Sequence, residues 1–455
     1  MKEKKHSTYL QIAQGYLIII LSGVLLLMMP FATKDYMATG AYGNFFDRLF
    51  TSLFTATSAT CVTGLVLTNT GTYWTMYGQI VILIMIQIGG LGFMVVLYML
   101  ATLFKKRVNL NERKTVMQAQ GFFGLSGVII LLRKIFFFAL AFEIVGAGIL
   151  SIRFIPEYGV GKGIYYSIFM SISAFCNAGF DPLGMANSII VYQTDLLVNF
   201  TLVALIICGG LGFIVWDDLF KKKFRYKQLK LHTKIVLIVT AILLVLSTSL
   251  FLLFEFNGAF RNLNGSQKIL AAFFQATTCR TAGFATTDQA ILSDPSILLS
   301  TMLMFIGGSS GSTAGGIKTT TIAVLVLSIL STTTRRPHIT VGRRQLDQNL
   351  TKHASAIFVF YLFMITTSSL IILGVEQSNN LVKFRDVFFE VASAVGTTGL
   401  TAGGTPNFTL PSQAILIVLM FVGRIGALSI IAVFREKRES GRDMIQYPTE
   451  KIIVG

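Results

Sequence analysis

The chain has 455 residues, of which 53% are hydrophobic and only 13% charged, roughly half the ~25% charged fraction of ordinary soluble domains. This excludes a water-soluble globule, which could not cover itself, and a disordered chain, which needs low hydrophobicity. The formal net charge of +17 then has two readings, nucleic-acid binding or the sidedness of a membrane protein, and the position of the charge decides between them.

A spanning helix needs ~20 mostly apolar residues, and eight segments qualify. In chain order they are 9–30, 74–104, 130–152, 194–220, 235–254, 297–331, 355–374 and 412–434. The first is too long for a signal-peptide core and has no small-residue cleavage site close behind it, so it reads as a retained span. Eight spans put both termini on one side. Of the 38 basic residues, 25 fall in the N-terminus and in segments 105–114, 221–234, 332–352 and 435–455. The opposite connections hold only Lys34, Arg48, Arg153, Lys162, Arg261, Lys268, Lys383 and Arg385. The positive-inside rule makes both termini cytoplasmic. The charge is therefore topology, and no nucleic acid is implied. Arg133 and Lys134 stand at the cytoplasmic entrance of the third span, and Arg280, Lys318 and Arg424 remain at membrane depth.

Each connection on the outer side holds a shorter apolar stretch ending in small residues. The four are FDRLFTSLFTATSATCVTGL (46–65), YYSIFMSISAFCNAGF (165–180), ILAAFFQATTCRTAGF (269–284) and RDVFFEVASAVGTTGL (385–400). They align on Gly64, Gly179, Gly283 and Gly399, spaced 115, 104 and 116 residues apart, with Ser58, Ser173, Thr277 and Ser393 six residues before. A second register, IGGLG (88–92), CGGLG (208–212), IGGSSG (306–311) and VGRIG (422–426), follows 24 to 30 residues later. Two registers agreeing over a long period mark a repeated structural unit. The units are 9–104, 130–220, 235–331 and 355–434, flanked by cytoplasmic ends 1–8 and 435–455.

The short stretches offer roughly 11 to 15 helical residues, too few to cross ~30 Å at 1.5 Å per residue. They must enter and leave on the outer face, and extended backbone at that depth has to be buried in protein or line water. The expected architecture is all-α: four repeats of helix, pore helix, filter loop and helix around a central pseudo-fourfold pore. The pore-lining stretches are Thr60, Cys61, Val62, Thr63 and Gly64; Phe175, Cys176, Asn177, Ala178 and Gly179; Cys279, Arg280, Thr281, Ala282 and Gly283; and Val395, Gly396, Thr397, Thr398 and Gly399. They contain no carboxylate, so the ligands are backbone carbonyls, with threonine hydroxyls nearby. Such a ring replaces a cation's hydration shell, and the partly negative C-terminal ends of the short helices favour a cation there. Gly89, Gly90, Gly92, Gly209, Gly210 and Gly212 read instead as close-packing positions. Cys61, Cys176 and Cys279 read as small packing residues, and the four cysteines form no CxxC pair.

One such glycine per unit, in TCVTGL, FCNAGF, CRTAGF and VGTTGL, makes the chain resemble the Ktr/Trk/HKT superfamily of potassium transporters along nearly its whole length. With eight spans and a short tail it is most similar to the membrane subunits of bacterial Ktr systems, the KtrB type. The resemblance implies K+ as the transported ion, held by the carbonyls of Gly64, Gly179, Gly283 and Gly399, with Na+ a candidate activator and no organic cofactor. It also implies a homodimer in the cytoplasmic membrane of a bacterium and a cytosolic ring of nucleotide-binding KtrA-type subunits. The tail, with Ile452, Ile453 and Val454, is a candidate for the dimer interface. Four glycines rather than a serine at the first is the superfamily's potassium-preferring pattern.

The last span of the third unit reads GGSSGSTAGGIKTTT (307–321), and glycine costs ~1 kcal/mol against alanine in a helix. Its GxxxxG spacing fits a phosphate loop, but Ile317 stands where that motif requires lysine and no strand precedes it. The resemblance implies a gating loop beneath the filter, formed by Gly307, Gly308, Ser309, Ser310, Gly311, Ser312, Thr313, Ala314, Gly315 and Gly316; the plain alternative is a kink with no gating role. Arg424 and Lys318 are gate candidates or, alternatively, snorkelling helix-end charges. Arg280 is expected to point behind the filter toward a carboxylate, Glu390 being one candidate. A proton- or sodium-coupled secondary transporter is the rival reading, with Glu143 its main acidic residue and Asp217 and Asp218 near a helix end. No catalytic set converges, so no enzyme is expected: the four histidines all fall in cytoplasmic segments.

Overall fold

The structure is a computed structural model that describes residues 8–34, 44–103, 128–183, 189–335, 338–341, 344–378 and 382–426. The basic N-terminus, segment 105–114, the end of the last expected span and the 435–455 tail lie outside the described residues. Helices dominate, in an order that recurs along the chain. The first set is α1 (Thr8–Leu27), α2 (Phe45–Thr60), α3 (Met76–Leu91) and α4 (Phe93–Leu103). The second is α5 (Val128–Tyr158), α6 (Val160–Cys176), α7 (Leu196–Leu211) and α8 (Phe213–Lys221). The third is α9 (Leu231–Glu255), α10 (Gly265–Thr278), α11 (Asp294–Phe305) and α12 (Thr319–Thr333). The fourth is α13 (Gln348–Val375), α14 (Phe384–Gly396) and α15 (Leu410–Ile425). A two-stranded hairpin, β1 (Thr340–Val341) antiparallel to β2 (Arg344–Gln345), departs from the all-α expectation between the third and fourth sets.

Among the described residues, four single helices are long and apolar enough to cross a membrane: Leu10–Leu27, Ile130–Tyr158, Leu231–Glu255 and Asn349–Val375, the long first helix of each set. Their outward faces expose Leu25, Ile144, Val245 and Leu370, side chains suited to lipid tails. The second helix of the first two sets is interrupted, where the sequence predicts an unbroken span. Gly92 (φ +84°), Gly212 (φ +95°) and Gly426 (φ +87°) take left-handed backbone at equivalent places, a conformation that ends a right-handed helix at little cost only for glycine. At Gly212 the two halves bend by 93°. The interruption expected in the third set alone therefore recurs in the first two, as a single residue rather than a loop, and in the fourth α15 ends at Gly426, the last described residue. Glycine pairs in an unbroken apolar run hide this from hydropathy.

The short helices occupy the centre. They run to 16, 17, 14 and 13 residues, the first two slightly longer than expected and the last two within the expected range. Each buries a phenylalanine completely: Phe54, Phe169, Phe274 and Phe389. Among helices surrounded by lipid such burial gains van der Waals contact rather than release of water. Each short helix lies against its own set's long helix, and the second helix of each set lies against the next set's short helix: α3 on α6, α7 on α10, α11 on α14 and α15 on α2. The last contact closes a ring. Local capping sets the starts: Asp195 accepts from Val198 N (3.1 Å) at α7, and Asn264 with Gln267 forms a capping box at α10. Two buried glutamates lock long helices to second helices. Glu255 accepts from Ser293 N (2.9 Å) and Oγ (2.6 Å), and Glu376 from Thr409 N (2.8 Å) and Oγ1 (2.6 Å).

Candidate functional site

The ends of the four short helices turn toward one another. Val62 (φ +57°), Asn177 (φ +60°), Thr281 (φ +71°) and Thr397 (φ +49°) are left-handed although none is glycine. Each stands two residues before Gly64 (φ +94°), Gly179 (φ +69°), Gly283 (φ +78°) or Gly399 (φ +89°), which are left-handed too. Left-handed backbone costs L-residues about 1 kcal/mol or more, so four such non-glycine positions in four equivalent loops mark a geometry that the surroundings impose. Alternating hands turn toward one side carbonyls that a plain strand would point to opposite sides.

The loops meet in cyclic order. A Cβ on Gly64 would overlap the Ala178 carbonyl, one on Gly179 the Ala282 carbonyl, one on Gly283 the Thr398 carbonyl and one on Gly399 the Thr63 carbonyl. Each glycine thus leaves room for the carbonyl of the next loop. On one side of this ring opens a cavity of about 470 Å³, lined by the four glycines together with Asp181 and Asp288. Thr60, Thr63, Thr281, Thr397 and Thr398 each hold a buried hydroxyl oxygen without a hydrogen-bond partner among the described residues. Buried hydroxyls are normally satisfied, so five unused oxygens around carbonyl-rich loops are chemically free to take a cation.

Hydroxyls at the helix ends pin the loops. Ser58 Oγ accepts from Gly64 N and Ser393 Oγ from Gly399 N, both at 3.0 Å. Ser173 Oγ donates to Phe180 O at 2.7 Å. In the third set the pinning residue is Thr278, which donates to Phe284 O at 2.6 Å. This corrects the sequence alignment, which placed Thr277 there: Thr277 Oγ1 donates back to Phe273 O inside its own helix. Counted from the buried phenylalanines, the third loop is one residue shorter than the others, and a small shift of that kind is invisible to an alignment on the glycine.

Opposite the cavity, residues 306–318 leave the helical path between α11 and α12. Ile306 and Ile317 form a bridge that pinches the segment shut. Ser309 N donates to Gly210 O (3.0 Å), Thr313 N to Gly209 O (3.3 Å) and Thr313 Oγ1 to the Phe175 carbonyl (3.2 Å). A Cβ on Gly315 would overlap Thr397. Arg424 donates to Thr313 O (2.5 Å), to Gly90 O (3.3 Å) and to Gly89 O. Lys318 Nζ donates to Ala314 O at 2.6 Å, within its own segment. The segment is thus tied to the second and fourth sets, and Arg424 links it onward to the first.

A family model described as TrkH, cation transport protein, matches residues 1–444. The potassium/sodium uptake protein NtpJ of Enterococcus hirae is 38% identical over 99% of this chain and 98% of its own. The Ktr system potassium uptake protein B of Bacillus subtilis is 37% identical over 98% and 96%. The crystal structure of the potassium transporter TrkH from Vibrio parahaemolyticus superposes with a TM-score of 0.73 over 95% of this chain and 86% of that one, at 18% identity, a likeness of fold. The chain belongs to the TrkH family of cation transport proteins. It is a membrane transporter, not an enzyme.

Within this TrkH-family chain the structure brings Thr63 and Gly64, Ala178 and Gly179, Ala282 and Gly283, and Thr398 and Gly399 together at the shared centre, while the carbonyls of Thr60, Phe175 and Val395 face the second helices. Arg280 turns away from it, into a cavity lined by Ile206, Gly210, Thr240 and Gly308. The pairing with Glu390 is corrected. Glu390 accepts from Thr401 Oγ1 (2.5 Å), Ala402 N (3.1 Å), Gly404 N (3.2 Å) and Thr405 Oγ1, bracing the stretch after its own loop. Gly89, Gly209 and Gly423 do pack closely, against the carbonyls of Thr60, Phe175 and Val395, whereas Gly92 and Gly212 break helices. Glu143 lies behind the second loop, where Gln87 Nε2 donates to both its oxygens at 3.0 Å and Cys176 Sγ donates to Gln87 Oε1 at 3.6 Å. Asp217 pairs with Lys134 (2.8 Å) and Lys221 (2.5 Å), and Asp218 caps Lys230 N (2.9 Å). Sequence reasoning missed Gln87, Glu255 and Glu376. The glutamates could have been found, since each stands at the end of a long apolar helix whose next long partner starts at a Ser or Thr.

Proposed function

We propose that the chain is the ion-translocating subunit of a Ktr-type potassium uptake system, crossing the bacterial cytoplasmic membrane eight times with both termini inside. The observation that carries this reading is the closed ring of four left-handed glycines, each seated against the next loop's carbonyl. In it the short helices are pore helices, the four loops form a pseudo-fourfold selectivity filter, and dehydrated K+ sits among the carbonyls of Gly64, Gly179, Gly283 and Gly399 and their neighbours. Passage is down the electrochemical gradient, to which the membrane potential contributes ~2.3 kcal/mol per charge per 100 mV. The names of the B. subtilis and E. hirae relatives support potassium as cargo, and the latter also brings in sodium, as activator or second cargo.

The segment 306–318 lies across the path under the filter and acts as its gate, with Arg424 and Lys318 holding it in the blocking position. A cytosolic nucleotide-binding ring, docked on the basic loops, releases it, and two copies of the chain form the membrane dimer. The deciding experiment is K+ or 86Rb+ uptake into liposomes by the wild type and by Gly283→Ser and Gly399→Ser variants. Each serine side chain would collide with a neighbouring loop's carbonyl, so K+/Na+ discrimination should fall by roughly tenfold or more, the equivalent of ~1.4 kcal/mol. Unchanged affinity and discrimination would remove the filter assignment. Deleting residues 309–316 should raise flux, and lower flux in a well-folded deletion would remove the gate.

A further inference from the structure

Arg280 has no use in the mechanism above. Its side chain is only 8% exposed, and its Nε is buried with no hydrogen-bond partner among the described residues. The carboxylate expected to pair with it, Glu390, is taken up by four donors of its own loop. A lone guanidinium buried at membrane depth is costly and ordinarily has a counter-charge. The guanidinium lines a cavity of about 10 Å³ behind the third loop, between α7, α9 and the start of the interrupted segment, bounded by Gly210, Thr240 and Gly308. Room of that size suits one water or one monatomic ion. Thr240 is 5% exposed, and its hydroxyl also lacks a partner among the described residues. Two nearly buried, unused donors from different helices thus line one small space.

We propose that this cavity binds a single small monovalent anion, of which chloride is the probe, held by the Arg280 guanidinium and the Thr240 hydroxyl. A water molecule would satisfy the hydroxyl but leave the positive charge uncompensated. A polyatomic oxyanion is too large for the space. A bound halide cancels a cation that otherwise stands beside the third loop and opposes the approach of another. It also sits beside Gly308, whose carbonyl accepts from Thr319 N at 3.0 Å and so fixes one end of the interrupted segment. The site stands independently of the filter assignment; only its consequence, a cation flux that depends on halide, rests on that assignment.

The test is equilibrium binding of 36Cl− to the purified full chain in lipid nanodiscs, in potassium gluconate at constant ionic strength. It reads no cation flux, so its failure is separate from failure of the filter. The expected result is one saturable chloride per chain, abolished by Arg280→Gln and weakened roughly tenfold by Thr240→Val, the scale of one hydrogen bond to a charged group. Absence of saturable binding in the wild type overturns the proposal. So does equal affinity in Thr240→Val, which keeps the charge and decides the matter should Arg280→Gln fail to fold.

Discussion

Arg424 offers the sharpest test of the gate, because its guanidinium holds two partners at once. One branch reaches the Thr313 carbonyl on the interrupted segment at 2.5 Å, and the other reaches the carbonyls of Gly89 and Gly90 on α3. Withdrawing the segment breaks the first bond while the second stays, so the tether is worth one charge-assisted hydrogen bond, about 1.5–3 kcal/mol. At ~1.4 kcal/mol per tenfold, Arg424→Ala should shift the blocked–open equilibrium by about 10- to 100-fold toward open. The assay is 86Rb+ efflux from liposomes holding the membrane subunit alone, with protein insertion matched between samples. A bare positive charge in the path would also slow cations, and its loss would raise flux as well. Arg424→Lys separates the two causes: the ammonium keeps the charge but lacks the planar fork that reaches both partners. A tether predicts flux in Arg424→Lys well above wild type. Flux equal to wild type in Arg424→Lys, alongside a rise in Arg424→Ala, would refute the tether and leave only electrostatic repulsion.

Further outcomes follow from the bracing residues. Glu390→Gln places an amide where four donors converge, leaving buried donors unpaired at about 1–3 kcal/mol each; a lower unfolding midpoint and reduced K+/Na+ discrimination should appear together in thermal and uptake measurements. Ser58→Ala and Ser393→Ala each remove the acceptor of a ring glycine's N–H at a cost of about 1–3 kcal/mol. They should broaden ion selection while leaving the oligomeric state on size-exclusion chromatography unchanged.

The parts of this architecture that are legible in sequence are those written in residue type at a fixed period. Gly64, Gly179, Gly283 and Gly399 stand out because only glycine tolerates both a left-handed backbone and a carbonyl packed on its Cα. Their partners two residues earlier do not, since valine, asparagine and threonine stand at Val62, Asn177, Thr281 and Thr397 with no chemistry common to all four, and the loops around them hold them left-handed. The breaks at Gly92 and Gly212 escape notice for the opposite reason: glycine in an apolar segment is as consistent with close packing as with a kink, and hydropathy does not change across it. The third loop hides its missing residue because Thr277 and Thr278 are identical in type, and only the buried Phe274 shows which of them faces the loop. Arg280 looks like half of an ion pair, and nothing local says that Glu390 is already committed.

The seating of each glycine against its neighbour's carbonyl has a consequence for how damage spreads. Every quarter leans on the next in one rotational sense, so a displaced loop disturbs one flank first and reaches the opposite quarter only through an intermediary. Paired substitutions at adjacent glycines, such as Gly283 with Gly399, should therefore interact strongly in free energy, and those across the ring, such as Gly64 with Gly283, much less. Because the four quarters are encoded separately in one chain, each can drift chemically from the others, and the ring permits a lopsided binding site that four identical subunits could not build.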